Sequence, residues 1–245
     1  MKTRFSNSIK CYLKNCIFKV IYSLEMSKYF FNVSEFEWSG DIESQAEIIL
    51  TELNQNINNK FWMNEHPDYV IGFNSNAWKT LTLLFWGIRN EKLIKSFPNT
   101  YQILSGVPNL ITAQFSMLKS NTRIQPHKGY SSMVLRSHLP LVVPEESKKC
   151  ALMIEDEERN WQKAKLLIFD DSYTHSAWNH SKENRIVLMF DFVKPGVHYS
   201  VKEICEYKLT NHVDDFLNKI APKEIWLQWL KKGSFPAELE PPDIH

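Results

Sequence analysis

The sequence contains few cysteines, and none is placed as a zinc site or a disulfide framework would require. The four are Cys11, Cys16, Cys150 and Cys205, and no two of them form a C-x-x-C pair. A zinc knuckle is therefore not indicated. Because disulfide frameworks belong to oxidising compartments, their absence favours a cytoplasmic protein.

No excess of one charge sign runs through the chain as a whole. Lysine and arginine number 29 against 28 acidic residues, which leaves a formal net charge of +1. A protein with so little net charge has no overall field to attract nucleic acid, so no nucleic-acid partner is expected. The exception is residues 1–28, which hold six basic residues and one acidic residue.

Long apolar runs are also missing. Residues 16–24 are apolar, but the run is short and Lys19 interrupts it. Crossing a bilayer takes about 20 apolar residues, so this run does not predict a transmembrane helix. No small-residue cleavage site follows, so a secretory signal is not indicated. We interpret residues 1–30 as a basic lead-in segment, either an amphipathic helix packed on the domain or a peripheral contact with the inner face of an anionic membrane.

What is present is a β-rich centre between helical regions. Apolar spacing predicts a helix over 41–57 with Asp41 as its N-cap, and helical texture returns over 90–105, 201–220 and 223–232. Strand-like runs bounded by turn residues cover 78–86, 110–118, 133–143, 150–155, 165–170, 173–179 and 185–192. This texture is typical of a sandwich or small barrel. We predict a mainly β (α+β) chain in three parts: the lead-in segment 1–30, a β domain with N-terminal helices over 31–200, and a C-terminal helical extension over 201–245.

Arginine and histidine side chains fall on three of these strands. Alternate side chains of a strand share a face, so Arg136 and His138 lie on the same side of theirs. If that side faces the interior, both need an anionic partner, and a bound carboxylate would serve because arginine grips carboxylates with two hydrogen bonds. His175 and Arg185 lie on two further strands. Together with His127 they could share one cavity, where imidazoles bind iron and the other donors hold an acidic cosubstrate.

Simpler interpretations of the same residues stay open at this point. A single histidine on a strand is more often a hydrogen-bonded structural residue than a metal ligand. Arg136 and Arg185 would be surface charges if the two faces of their strands are inverted. Asp170 and Asp171 are typical turn residues.

Five stretches in this order resemble the aspartyl/asparaginyl β-hydroxylase family of Fe(II)- and 2-oxoglutarate-dependent dioxygenases. They are SGVPNLITAQFSMLKSNTRI (105–124), PHKG (126–129), LRSHLPLVVP (135–144), FDDSYTHSAWN (169–179) and NRIVLMFDFVKP (184–195). The resemblance implies a double-stranded β-helix, a cupin-like jelly roll flanked by N- and C-terminal helices. It implies Fe(II) bound by His127 and His175, which would be the catalytic centre. It also implies a 2-oxoglutarate pocket, with Arg185 on the distal carboxylate alone or together with Arg136; the pocket residues are Ser116, Arg136, His138 and Arg185.

The acid of the usual iron site is missing from the first of these motifs. Most related oxygenases bind iron with two histidines and one carboxylate. Here the residue two places after His127 is Gly129, which has no side chain to offer. The resemblance implies that water or another small ligand takes that position. It further implies O2 as oxidant, succinate and CO2 as products, hydroxylation of an unactivated carbon, and ascorbate as an optional stimulant.

The sequence departs from the family at two substrate contacts. Animal members carry basic residues where this chain has Gln114 and Val134, and they also carry a helical-repeat region for which this chain has no room. An aspartyl side chain in a folded protein domain is therefore not the expected substrate. A small molecule, an amino acid or a peptide stays open. The alternatives are a lipid A acyl-chain hydroxylase at the membrane surface, a halogenating enzyme, and a non-catalytic metal-binding cupin-like protein. The oligomeric state is not indicated.

Overall fold

The computed structural model describes residues 29–71 and 75–237. These residues form thirteen strands: β1 (Phe30–Phe31), β2 (Met63–Asn64), β3 (Val70–Ile71), β4 (Trp78–Phe85), β5 (Ile88–Arg89), β6 (Leu110–Leu118), β7 (Thr122–His127), β8 (Val134–Val142), β9 (Cys150–Ile154), β10 (Glu157–Asn160), β11 (Leu167–Phe169), β12 (His175–Asn179) and β13 (Arg185–Val193). They also form seven α-helices: α1 (Ser39–Ser44), α2 (Ala46–Gln55), α3 (Glu91–Ser96), α4 (Pro98–Leu104), α5 (Val201–Asn211), α6 (Asp215–Ile220) and α7 (Lys223–Lys232).

The strands build two antiparallel sheets. The larger sheet has the order β1-β11-β8-β13-β6-β4-β2, with β5 paired to β4, and the smaller has the order β10-β9-β12-β7-β3. Sequence neighbours such as β7 and β8 lie in different sheets, so the chain passes repeatedly from one sheet to the other. This is the double-stranded β-helix, and the prediction of a mainly β jelly roll flanked by helices is confirmed.

Three predicted helices are divided in the structure. The predicted helix 41–57 breaks at Gln45, and Trp38 rather than Asp41 occupies its N-cap position. The break still leaves Ile42 and Ile49 buried in the same core. The region 90–105 breaks before Pro98, since proline disfavours helical backbone in the residue ahead of it. The region 201–220 divides before α6, which begins where the Asp214 side chain accepts the Leu217 N–H at 2.8 Å.

Three cores hold these layers together. The first lies between the larger sheet and the N-terminal helices, where Ile49 and Leu53 pack with Leu81 and Phe115. The second fills the space between the two sheets and includes Trp161. Trp161 is therefore part of the barrel interior, where a polar side chain without a partner is costly.

A third core joins the C-terminal helices to the barrel. Trp86, Ile88 and Ile111 of the barrel side are buried with Ile204 and Trp226 of α5 and α7. Within the described ranges, no helix is long and apolar enough to cross a membrane. The predicted lead-in segment lies almost wholly outside the described residues, as does the end of the chain, residues 238–245. The division at residue 200 stays a prediction.

Candidate functional site

His127 and His175 face each other across the smaller sheet. His127 is the last residue of β7 and His175 is the first of β12, and the two are paired in the antiparallel register. Their ring centroids lie 4.2 Å apart. The sequence run RIQPH showed no clear strand texture, so β7 was not predicted. The pairing of β7 with β12 places His127 beside His175.

Both imidazoles are held in the tautomer that suits metal binding. His127 Nδ1 donates to the Gln125 carbonyl at 2.8 Å, and His175 Nδ1 donates to the Tyr173 carbonyl at 3.0 Å. A carbonyl can only accept, so the proton sits on Nδ1 and the lone pair is left on Nε2. Burial lowers the pKa of His127 to about 4 and that of His175 to about 3. The rings are therefore neutral at physiological pH, as metal ligands must be.

A carboxylate from elsewhere in the chain fills the space beside Gly129. A Cβ at this position would overlap the Asp171 carboxyl group, and the Gly129 N–H donates to the Asp171 carbonyl at 2.7 Å. Burial raises the pKa of Asp171 to about 6, with Asp191 and Asp170 adding to the effect and Arg136 opposing it. Asp171 lies in a turn, as predicted, but its side chain is not solvent-exposed: it is buried against Gly129. The motif FDDSYTHSAWN contained it, but spacing alone did not point to its partner.

Replacing Gly129 with alanine is expected to destabilise the fold by about 1–3 kcal/mol, because the added methyl group must displace the buried Asp171 carboxyl group. Gly40→Ala in α1 is the matched control, since nothing lies within 4 Å of its added methyl group. In a helix that change stabilises by roughly 0.5–1 kcal/mol. Urea unfolding of both variants measures the difference. Equal stabilities would show that Asp171 does not require a glycine here.

Arg136 is bound by two carboxylates. Its Nε and Nη2 donate to the two oxygens of Asp191 at 2.8 and 2.9 Å, and its Nη1 lies 2.9 Å from Asp171 Oδ2. Although burial lowers its pKa, Asp171, Asp191 and then Glu65 raise it above the ordinary value. Arg136 therefore holds the Asp171 carboxylate in place next to Gly129. The Arg136 guanidinium is neutralised by two internal carboxylates and does not require an anionic ligand.

Arg185 has no such anions. It is 1% exposed, and its Nε and Nη1 have no hydrogen-bond partner among the described residues. Its guanidinium lies 4.6 Å from the centre of the Trp161 ring, and burial lowers its pKa to about 10. A buried cation without a counter-charge is costly, so this position fits an anionic ligand.

His138 adds a second unpaired donor next to Arg185. Its Nδ1 accepts from the Trp161 indole N–H at 3.1 Å, so the neutral ring carries its proton on Nε2. That Nε2 is buried and has no partner within the described chain. Burial, and then the charges of Arg185 and Arg136, hold the His138 pKa well below its usual range. Ser116 lies on β6, where its hydroxyl accepts from the Trp78 indole at 3.1 Å. The unmet donors of Arg185 and His138 fit a dianionic cosubstrate.

A polar network ties the C-terminal helices to this site. The Tyr130 hydroxyl donates to Asp214 at 2.5 Å and accepts from His66 Nε2 at 2.8 Å. His66, in the left-handed region with φ of 35°, stacks on Tyr69, and Tyr69 stacks on His127 with centroids 4.9 Å apart. Neither His66 nor Tyr130 is marked as a site residue by its sequence neighbours, because the partners of both come from distant parts of the chain.

Within the described ranges, no third metal-binding side chain joins the two paired histidines. No group of three or more His, Cys, Asp and Glu side chains in residues 29–71 and 75–237 is arranged to hold a metal ion. The two-histidine iron site that the resemblance implies stays a prediction. The two positions where the resemblance implies basic substrate contacts hold uncharged side chains: Val134 is buried among apolar side chains, and Gln114 accepts from the Thr82 hydroxyl at 2.9 Å.

Known proteins resemble this chain in sequence and in structure. It is 34% identical over 197 residues to the ornithine lipid ester-linked acyl 2-hydroxylase of Rhizobium tropici, covering 79% of this chain and 69% of that protein. It is 32% identical over 123 residues to human aspartyl/asparaginyl beta-hydroxylase, covering 48% of this chain and only 16% of the human protein. Among solved structures, a Pseudomonas putida prolyl-4-hydroxylase aligns with a TM-score of 0.42 and 9% identity over 62% of this chain and 87% of that one.

A family model extends over most of the barrel. Residues 43–195 match the model described as Aspartyl/Asparaginyl beta-hydroxylase. The match takes in the paired histidines, Arg136, His138 and Arg185, and it covers more than half of the chain. The chain belongs to the aspartyl/asparaginyl β-hydroxylase family.

Proposed function

We propose that this hydroxylase depends on Fe(II) and 2-oxoglutarate and hydroxylates an unactivated carbon. One observation carries the proposal: Arg185 is a buried cation whose Nε and Nη1 have no hydrogen-bond partner within the described chain, and it lies near a second unpaired donor, His138 Nε2. A structural arginine would have an internal counter-charge, as Arg136 has. Arg185 therefore needs an anion from outside the protein.

The residues present fit the metal and the cosubstrate. The Nε2 lone pairs of His127 and His175 would hold the iron, and Arg185 and His138 would donate to the carboxylates of 2-oxoglutarate. Ser116 stays a predicted contact of that pocket. Between the two arginines, the free donors favour Arg185 as the carboxylate anchor, while Arg136 positions Asp171.

When bound, the iron and its cosubstrate supply the oxidising chemistry with O2, and 2-oxoglutarate leaves as succinate and CO2. The protein orients these groups and excludes water. Phe169 packs on His138 with centroids 5.0 Å apart and lies 6.5 Å from His175, so the wall between the two subsites is apolar. Asp171 brings a carboxylate to the side of the site where Gly129 has none. Low polarity strengthens each of these electrostatic contacts.

For the substrate, the site favours an apolar chain over an aspartyl side chain. A carboxylate substrate would need a cation, and the two positions where family members carry one hold Gln114 and Val134. The acyl chain of a lipid is consistent with these uncharged positions. The Rhizobium tropici relative, 69% of which aligns with this chain, is named for hydroxylation of an acyl chain. A small apolar metabolite or a peptide is the second candidate. We place the protein in the cytoplasm, with residues 1–28 as its contact with the inner face of the membrane.

The test is binding and turnover of 2-oxoglutarate. We expect an absorption band when Fe(II) and 2-oxoglutarate are added together without oxygen, and slow succinate formation in air with ascorbate. Fe(II) with succinate in place of 2-oxoglutarate is the control and should give no band. If neither the band nor succinate appears, dependence on 2-oxoglutarate is wrong for this protein.

A further inference from the structure

A cavity of about 380 Å³ lies between the barrel and the C-terminal helices, and neither of the two paired histidines lines it. This volume is in the range of pockets that bind small ligands. The lining comes from β2, β4, β6 and α3 on one side and from α6, α7 and the residues after α7 on the other. Its apolar members are Phe61, Met63, Phe85, Leu93, Phe216, Leu217, Ile220, Trp226, Phe235, Pro236 and Ala237.

The inner end of this cavity belongs to the barrel interior. Thr80 and Gln114 line it, and Thr80 lies opposite Ser116 in the register of β4 and β6. Gln114 is two residues from Ser116 and so shares its face of β6. Glu65 also lines the cavity, accepts from the Thr80 hydroxyl at 2.8 Å, and is close enough to Arg136 to raise its pKa. The cavity therefore reaches the face of the barrel that carries Ser116 and comes close to Arg136.

Most charged side chains of the lining lie at its outer rim. Lys92, Lys95 and Lys232 are exposed there, and so is one carboxylate, Glu91, which is paired with Arg89. At the inner end the charged group is the Glu65 carboxylate. A carboxylate-bearing substrate would be repelled there, whereas an uncharged chain would replace water against aromatic and aliphatic walls.

We propose that this cavity binds one acyl chain of a membrane lipid and that α6 and α7 determine the chain length accepted. The assignment of this cavity as a substrate site rests on the proposed function. The rim lysines complement the anionic surface of the membrane from which the lipid is drawn. The C-terminal helices are thus part of substrate selection, and the paired histidines perform the same reaction whatever chain is bound.

The first test uses the unmodified chain without iron. A tetradecanoic acid with a photoreactive diazirine at its end is bound and irradiated, and the labelled peptides are identified by mass spectrometry. We expect labels on peptides of α6, α7 or residues 61–65, removed by an excess of unlabelled tetradecanoate. Labels confined to other parts of the chain would overturn the assignment of the cavity.

The second test narrows the cavity. Ile220→Trp is expected to weaken tetradecanoate binding at least about tenfold while changing hexanoate binding much less, because the longer chain buries more methylene groups. Ile48→Trp is the matched control: Ile48 is 47% exposed on α2, and its variant should bind within about twofold of the unchanged protein. Calorimetric titration measures each affinity, and melting curves report folding. Equal tetradecanoate affinity in all three proteins would contradict the proposal.

A third measurement separates the lipid source from the reaction. Succinate formation is compared with free tetradecanoate and with the same acyl chain esterified in phosphatidylglycerol vesicles, and we expect the vesicles to stimulate it more. Stimulation by the free acid alone would overturn the membrane source. If labelling maps to the cavity but no succinate forms, the proposed function fails while the binding site stands. If turnover on vesicles is normal in Ile220→Trp, the cavity is wrong while the function stands.

Discussion

Replacing His175 with alanine is expected to weaken Fe(II) binding by far more than about 100-fold, and to remove turnover with it. Losing a partner one step outside a metal site costs roughly 10- to 100-fold in affinity, and His175 would be one of only two protein ligands. Its Nε2 lone pair is presented by the hydrogen bond from Nδ1 to the Tyr173 carbonyl, which alanine cannot make. Anaerobic titration with Fe(II), followed by calorimetry, measures the loss.

His180→Ala is the control for that experiment. His180 follows the last residue of the same strand and is exposed, so its replacement should leave iron affinity unchanged. Melting curves show whether both variants fold, since alanine at position 175 removes one hydrogen bond and the packing of a buried ring, about 2–5 kcal/mol together. Full iron affinity in the His175 variant would remove this residue from the metal site and leave His127 without its partner.

Replacing Arg185 with methionine is expected to have opposite effects on binding and on stability. Two charge-assisted hydrogen bonds to a carboxylate are worth about 3 kcal/mol or more together, so 2-oxoglutarate should bind more than about 100-fold more weakly. The free protein should be as stable as before or more stable, because a buried cation without a described carboxylate partner is exchanged for an apolar chain of similar length. Calorimetry with 2-oxoglutarate and urea unfolding measure the two effects.

The pairing of these two effects separates a ligand site from a structural arginine. Arg123→Met, an exposed arginine on β7, is the control and should change neither quantity by much. If Arg185→Met lowers stability by several kcal/mol while 2-oxoglutarate still binds, then Arg185 is an internal ion-pair residue and the cosubstrate is anchored elsewhere. Loss of affinity at undiminished stability supports the proposal.

Much of the fold could be predicted because alternation of apolar side chains sets strands locally. The runs 110–118 and 185–192 match β6 and β13 within a residue. The strands β7 and β10 were missed for different physical reasons. In β7, Pro126 and the polar residues around it are typical of a turn, and β10 is a charged strand held by its backbone pairing with β9. Backbone pairing leaves no signature in side-chain polarity.

Local sequence patterns identify candidate site residues but not the contacts that these residues make. Alternation correctly grouped Arg136 with His138 on one face, but it gave no sign of what each would meet. Asp191 lies directly opposite Arg136 in the register of β8 and β13, and Asp171 arrives from a loop. Those contacts depend on how strands pair, and this pairing alone distinguishes a satisfied arginine from the unsatisfied Arg185. Sequence spacing could select both arginines, yet it could not order them.

The third core also has a consequence for how the chain is made. Trp86, Ile88 and Ile111 are translated long before Ile204 and Trp226, the residues that cover them. Until α5 and α7 emerge from the ribosome, the barrel therefore carries an uncovered aromatic and aliphatic face. Faces of this kind are where nascent chains associate with one another or are held by chaperones. We expect a ribosome-bound chain stalled before residue 201 to be far more prone to aggregation than one stalled after α7.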